Sequence, residues 1–417
     1  MRPALRRIAL VVAAFLSLAA CGGGATTAPS PSGGGSAETT PAATSAPTQA
    51  ATPTATATPT ATPTVQGLLD AARRDYGAPG AIAVLVRDGE RVFGASGTAD
   101  LDGTLITEST RFRIASITKP IVAVLVLDAV GRGLLALDDV VGDLLPGALR
   151  AEPPVTIRQL LDHTSGIYDE SNGIGSQDQL EADIAALADP DLRAEAQADL
   201  ARALAGEPVI ASDRLIVALS ETHDRYFAPG AGYHYSNTNY QLAAMLLEKA
   251  TGAPIADLLR SRIVGPLGLD LTTIAPPDTA SPELRGYGTS ATDGSLVDLT
   301  DGLTWFGNGG NGGIISTADE LLTTMRAIVA GELVPAELVA EMRAPTSMSL
   351  GSYGLGLVTY RLSCGTFYGH EGGVNGTASI AIVSPDGEDG VVIALNLRSG
   401  EDPRLPALAD AMLCAGR

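Results

Sequence analysis

Apolar residues at helical spacing open the foldable stretch. Leu68, Leu69 and Ala72 predict a helix over 65–76 that Pro79-Gly80 ends. Residues 81–87 are mostly apolar, Asp88-Gly89 is a tight-turn signal, and 91–97 read as a second strand, so the pair predicts a hairpin. A long apolar block starts near Ser116, runs through Ile121, Val122, Val124, Leu125 and Leu127, and stops near Gly131 to Gly133. Thr156 is placed to cap a short helix over 157–163, which Thr164-Ser165-Gly166 closes. Residues 180–205 are rich in Ala, Leu and acids and predict one or two surface helices broken at Pro190, a candidate lid over a cleft. Further helices are predicted over 214–219, 240–251 and 321–330, the last behind a Thr317/Glu320 capping box. The chain then returns to strands over 377–383 and 391–397, around the turn Pro385-Asp386-Gly387, and ends in an apolar helix over 406–414.

Strands at both ends with helices between them predict an α/β (α+β) fold. One antiparallel sheet is built from both chain ends and flanked by helices, with an all-helical second lobe and a cleft between the two.

The N-terminus follows another pattern. Arg2, Arg6 and Arg7 precede an apolar run over 8–18, too short to read as a membrane span, and Leu18-Ala19-Ala20-Cys21 follows. Small residues before a cysteine at this distance resemble the bacterial lipobox. That resemblance implies a signal peptide over 1–20, cleavage before Cys21, lipidation of Cys21, and a lipid-anchored lipoprotein on the outer face of the cell membrane. Residues 22–64 are almost wholly Gly, Ala, Ser, Thr and Pro, a composition that cannot bury a core. They read as a disordered tether spanning roughly 40 Å as a coil. The foldable domain is then 65–417.

Charge narrows the partners. The 417 residues carry 27 Lys plus Arg against 47 Asp plus Glu, a net −20, which argues against nucleic acid as a partner. The four histidines and three cysteines show no metal-ligand spacing, so no metal or other cofactor is expected.

Only two lysines occur, Lys119 and Lys249. Lys119 stands three residues after Ser116, so on a helix the amine and the hydroxyl share one face. A serine hydroxyl is a poor nucleophile until a neighbour takes its proton; lysine can do so when burial lowers its pKa, whereas arginine stays protonated. Lys249, near a helix end, suits the helix dipole and receives no catalytic role. Two other stretches hold polar groups. Tyr235 and Asn237 lie two apart before a helix, so an extended loop aims both one way, and a tyrosine beside a cation loses its proton more easily. Tyr368-Gly-His370-Glu-Gly372-Gly373 leads into a strand, where the glycines admit a close ligand and His370 brings a cation or proton donor near its switching range.

Ser116-x-x-Lys119, Tyr235-Ser-Asn237 and His370-x-Gly372, with flanks Phe112-Arg-Ile-Ala-Ser-Ile-Thr-Lys119, His163-Thr-Ser-Gly166 and Tyr353-Gly-Leu-Gly-Leu357, resemble the penicillin-recognising serine hydrolases. Within them the chain is most similar to the class C β-lactamase and Streptomyces-type D-alanyl-D-alanine carboxypeptidase group, over about 65–417. The resemblance implies a β-lactamase/transpeptidase-like fold and hydrolysis of a peptide, β-lactam or ester through an acyl-enzyme on Ser116. Lys119 and Tyr235 would manage the proton and Asn237 would orient the substrate amide. His370 stands where β-lactamases carry lysine, Gly372 allows close approach, and the N–H groups of Ser116 and Gly373 form the oxyanion hole. It also implies a Cys364–Cys414 disulfide, which suits an exported domain. The implied partners are a small-molecule, peptide or ester substrate, cell-wall peptide among them, met by a monomer; the alternative is a penicillin or wall-fragment sensor that acylates without turnover. Two departures bear on substrate. Val358 and Glu371 stand where the carboxypeptidases hold the substrate carboxylate with arginine and threonine, so D-Ala-D-Ala recognition weakens unless Arg361 substitutes, and ester or amide substrates gain.

Overall fold

The computed structural model describes residues 64–417 except 151–152, 174–175, 206, 208, 210, 275–283, 291, 301–308, 375 and 399–403. The signal segment, Cys21 and most of the Ala/Thr/Pro tether lie outside the described residues.

The chain opens with α1 (Val65–Tyr76), whose N-cap Thr64 accepts from the Gly67 N–H and whose end at Gly77 takes the left-handed conformation, φ 74°. Strands β1 (Gly80–Arg87) and β2 (Glu90–Gly97) form the expected hairpin. A two-residue strand β3 (Phe112–Arg113) leads through a 3-10 turn (Ala115–Ile117) into α2 (Thr118–Gly131). After the short helix α3 (Ile157–Leu161) come α4 (Gln177–Ala186), α5 (Pro190–Leu204), α6 (Asp213–Ser220) and α7 (Thr238–Thr251). The expected break at Pro190 is present: α4 ends at Ala186, and Pro190 opens α5 at its first turn, where its missing N–H costs nothing and Asp189 caps the start.

The second half supplies β4 (Thr273–Ile274), β5 (Tyr287–Thr289), β6 (Leu296–Asp298), β7 (Ile314–Ser316) and α8 (Ala318–Ala330). Then come β8 (Val358–Leu362), β9 (Gly365–Val374), β10 (Thr377–Val383), β11 (Gly390–Leu395) and α9 (Leu405–Cys414). Thr317 caps α8 by accepting from the Glu320 N–H, but the Glu320 carboxylate accepts from the N–H groups of Asp270 and Leu271 instead of closing a capping box.

The main sheet has the order β2-β1-β11-β10-β9-β8, antiparallel throughout, so the first and last strands lie side by side. Its strands read as nearly continuous apolar runs because both faces are covered. Ile82, Val84, Ala381, Val383, Val392 and Ala394 face the core shared with α2, α7 and α8. The alternate residues Ala81, Ala83, Ile380, Ile382, Val391 and Ile393 face α1 and α9. A third apolar cluster joins α4, α5 and α6. The helical lobe is not purely helical at its junction with the sheet: β3, β7 and β4 make a small sheet there, and β5 pairs with β6. A disulfide joins Cys364, between β8 and β9, to Cys414 at the end of α9.

Candidate active site

Ser116 sits in the 3-10 turn that introduces α2, and Lys119 in the first turn of the helix itself. Ala115, just before the serine, takes φ 50°, a left-handed conformation that costs a non-glycine residue roughly 1–2 kcal/mol. The surrounding core holds that turn in place. α2 is apolar on all sides and buried along most of its length, so Lys119, 0% exposed, has no route to water. Its Nζ lies 3.1 Å from Ser116 Oγ, 2.7 Å from Asn237 Oδ1 and 3.1 Å from the Asn311 carbonyl. Burial lowers the amine to about 7, with Asp169 pulling the other way.

The helical lobe brings the second group. Asn237 is the residue before α7, and its N–H and Nδ2 both donate to Asp169, at 3.1 and 3.2 Å. The Tyr235 ring lies with its centroid 4.8 Å from Lys119 Nζ, and its hydroxyl is hydrogen-bonded to Ser116. Its phenol is not made easier to ionise. Desolvation drives it well above the ordinary tyrosine range, and the bond to Ser116 only partly offsets that. Glu170, beside Asp169, is buried, and desolvation raises its carboxyl well above the ordinary range.

The sheet brings the third group on β9. His370 is buried and desolvation, reinforced by the Lys119 charge, pushes it down to about 3. It is therefore a neutral imidazole across the working range, not the switchable cation its residue type predicts. Its neighbours are the Tyr353 hydroxyl, 3.1 Å from Nε2, and the Glu371 carbonyl at Nδ1. Gly372 lies against the turn of the nucleophile: a Cβ there would meet the Ile114 carbonyl oxygen at 2.3 Å. A Cβ at Gly373 would meet the Arg398 guanidinium at 2.5 Å.

Ser116, Lys119, Tyr235 and Asn237 thus converge directly, and His370 joins them through ring contacts, its centroid 6.0 Å from that of Tyr235. Lys249 is exposed at the end of α7, away from this group. Glu371 is exposed and alternates with His370 on β9, where it reaches Tyr360 on the face toward α9. Arg361 is exposed on β8 opposite Thr366, four residues before His370, so it does not stand in the cluster. The motifs alone missed Asp169, the Asn311 carbonyl and the pair His163 and Tyr353. Only the last two left a trace, as flanking motifs without a role. Among the described residues no three His, Cys, Asp or Glu side chains converge as a metal site, and no helix is long and apolar enough to cross a membrane.

The sequence profile of the Beta-lactamase family matches residues 36–413. The chain belongs to this family. It is 39% identical over 215 residues to the esterase EstB of Burkholderia gladioli, covering 49% of this chain and 49% of that protein. It is 29% identical over 311 residues to a D-aminopeptidase of Brucella anthropi, covering 73% of this chain and 53% of that protein. The chain thus spans about half the length of these curated relatives. Among solved structures, a D-stereospecific amidohydrolase from Streptomyces sp. superposes with a TM-score of 0.68 at 31% identity, covering 84% of this chain and 98% of that one. The D-amino acid amidase of Ochrobactrum anthropi SV3, complexed with L-phenylalanine amide, gives 0.67 at 26% identity, covering 84% and 96%. The proteins it resembles within this family thus include an esterase, D-aminopeptidases and D-specific amide hydrolases.

Proposed function

We propose that this family member cleaves esters and amides of D-configured aminoacyl compounds through an acyl-enzyme on Ser116, while tethered by a lipidated Cys21 to the outer face of a membrane. The observation that carries the mechanism is the contact set of Lys119. Asn237 Oδ1 and the Asn311 carbonyl can only accept, so they take two N–H bonds of the amine. The third neighbour is the Ser116 hydroxyl. A neutral amine then has its lone pair left for the serine proton, and a group at about 7 is neutral for a large share of molecules at physiological pH.

In this reading Ser116 gives its proton to Lys119 and attacks the carbonyl carbon. The N–H groups of Ser116 and Gly373 receive the oxyanion. Tyr235, a neutral phenol hydrogen-bonded to Ser116, gives its proton to the leaving group and is reprotonated by Lys119, which carries the serine proton. Water repeats the sequence and frees the acid. D-aminoacyl substrates are favoured because a D-aminopeptidase and D-amino acid amidases are among the similar proteins; an ester leaving group is favoured by the likeness to EstB. The lipid anchor and the extracytoplasmic location are supported by the arginine-rich start and Leu18-Ala19-Ala20-Cys21.

The test uses D- and L-phenylalanine amide, a D-Ala-D-Ala peptide and p-nitrophenyl butyrate with native protein, Ser116→Ala and Lys119→Arg. The expected result is hydrolysis of the ester and of the D-amide over the L-amide, both lost by at least about 10³-fold in either variant. Turnover that survives Ser116→Ala would end the reading. An acyl adduct on Ser116, seen by intact mass, that forms but does not clear would make the protein a sensor instead. Loss of membrane association in Cys21→Ala tests the anchor.

A further inference from the structure

Two buried residues outside the catalytic motifs, His163 and Tyr353, connect the lobes through a string of hydrogen bonds whose histidine protons are assigned by their partners. The Ser236 N–H lies 3.2 Å from His163 Nδ1 and can only donate, so Nδ1 holds a lone pair. Asn239 agrees: its Oδ1 accepts from Ser165, which turns its Nδ2 toward the same His163 nitrogen at 3.1 Å. Burial keeps the His163 ring neutral, so its one proton sits on Nε2, 3.2 Å from the Tyr353 hydroxyl oxygen. At the other end the Glu371 carbonyl only accepts, so His370 Nδ1 carries the proton and His370 Nε2 holds a lone pair. The Tyr353 hydroxyl, 3.1 Å away, donates to that lone pair. Tyr240 gives its own hydroxyl proton to the Leu161 carbonyl, and its oxygen is a second acceptor for the Tyr353 hydroxyl.

We infer that His163 and Tyr353 are positioning residues that lock His370 as a neutral Nδ1–H imidazole and brace Tyr235 from behind. The bracing is a ring contact: the His163 and Tyr235 centroids lie 4.3 Å apart with planes at 35°. His163 comes from the end of α3, Tyr353 from the loop before β8 and His370 from β9, so the string also sets the spacing of sheet and helical lobe. Its chemical use follows from what faces His370. Lys119 from α2 is the nearby cation, Tyr235 and Tyr353 are neutral phenols, and the Glu371 side chain points to the opposite face. A proton on His370 would put a second positive charge beside Lys119 and oppose its taking the serine proton. A hydroxyl donating to Nε2 disfavours that proton, on top of burial and the Lys119 charge.

The inference rests on the serine-hydrolase reading only in its kinetic arm, so two readouts are needed. In ¹⁵N-labelled native protein, histidine side-chain NMR is expected to show His370 protonated at Nδ1 alone and His163 at Nε2 alone, unchanged from about pH 5 to 9. This readout needs no substrate and no variant. In Tyr353→Phe the donor that disfavours a second ring proton is gone while burial and the Lys119 charge remain, so the His370 ionisation moves up from about 3. The acid limb of kcat/KM for p-nitrophenyl butyrate is expected to steepen by a second ionisation, with kcat down about tenfold and KM nearly unchanged. The reverse tautomers in native protein, or a His370 that titrates there, would overturn the inference. So would an activity loss in a folded Tyr353→Phe that is equal at every pH.

Discussion

Asn237 turns its carbonyl oxygen to the Lys119 amine at 2.7 Å and its amide nitrogen to Asp169 at 3.2 Å. The carboxylate accepts only, so it dictates which way round the amide sits. Asp169 therefore acts on the lysine twice, through this orientation and through its charge, which raises the amine. The two effects separate between two variants. Asp169→Asn keeps an accepting oxygen for Asn237 and loses only the charge, which moves the acid limb of kcat/KM to lower pH. Asp169→Ala also loses the orienting acceptor, so the Asn237 amide can turn over and kcat falls about tenfold, the equivalent of one hydrogen bond. A pH–rate series on native and variant protein checks both directions.

The native profile follows from Lys119. Only the neutral amine accepts the serine proton, so kcat/KM is expected to rise with pH through about 7 and level off above it. Neither Tyr235 nor His370 adds an ionisation in this range, because burial pushes the phenol up and the imidazole down to about 3. A single acid ionisation is the expected result, and a profile flat from about pH 5 to 8 contradicts it.

The same amine makes stability depend on pH. Its folded pKa is about 7 against an ordinary 10.5, so between these values the unfolded chain binds more protons than the folded one. The Lys119 contribution therefore strengthens the fold as pH rises through that window, by up to about 1.4 kcal/mol per unit, and is constant below it. Lys119→Met removes this term. Urea unfolding at about pH 7 and 9 on both proteins is expected to show a gain on going to pH 9 that is larger in native protein.

Gly372 and Gly373 differ in what a side chain would strike. At Gly372 a Cβ meets the Ile114 carbonyl, two residues before the nucleophile, and backbone cannot step aside cheaply. At Gly373 it meets the end of the Arg398 side chain, which can swing away. Gly372→Ala is expected to abolish most activity, while Gly373→Ala loses less than about tenfold. Ester hydrolysis by the purified variants checks the contrast.

The disulfide joins residues 50 apart and ties the β8–β9 turn to α9, on the sheet face away from Ser116. Opening it is expected to cost about 2–5 kcal/mol of stability. Activity at low temperature is expected to survive, since no catalytic side chain packs on it. Thermal unfolding and ester hydrolysis with and without reductant test this.

Elements set by local rules were legible in the sequence. The β1–β2 hairpin followed from an apolar run ahead of the Asp88-Gly89 turn signal, and the Ser116/Lys119 pair from helical spacing. What depended on depth was not. Tyr235 lies beside a cation, as its position allowed, yet burial outweighs that neighbour, and burial is a property of the assembled lobes. His370 failed the same way. Glu371 stands at a position where the family resemblance places a carboxylate-holding residue, but strand alternation sends its side chain to the other face. Asn311 left no trace because it works through its carbonyl, which every residue type possesses.

Because β1 (80–87) is zipped between β2 and β11 (390–395), the first hairpin has no permanent partner until the final strand is available. During synthesis that hairpin must wait through some three hundred residues, with its inner edge unpaired. Cooperative folding can then begin only once the tail arrives, and a chain cut short before β11 would be sticky rather than partly active.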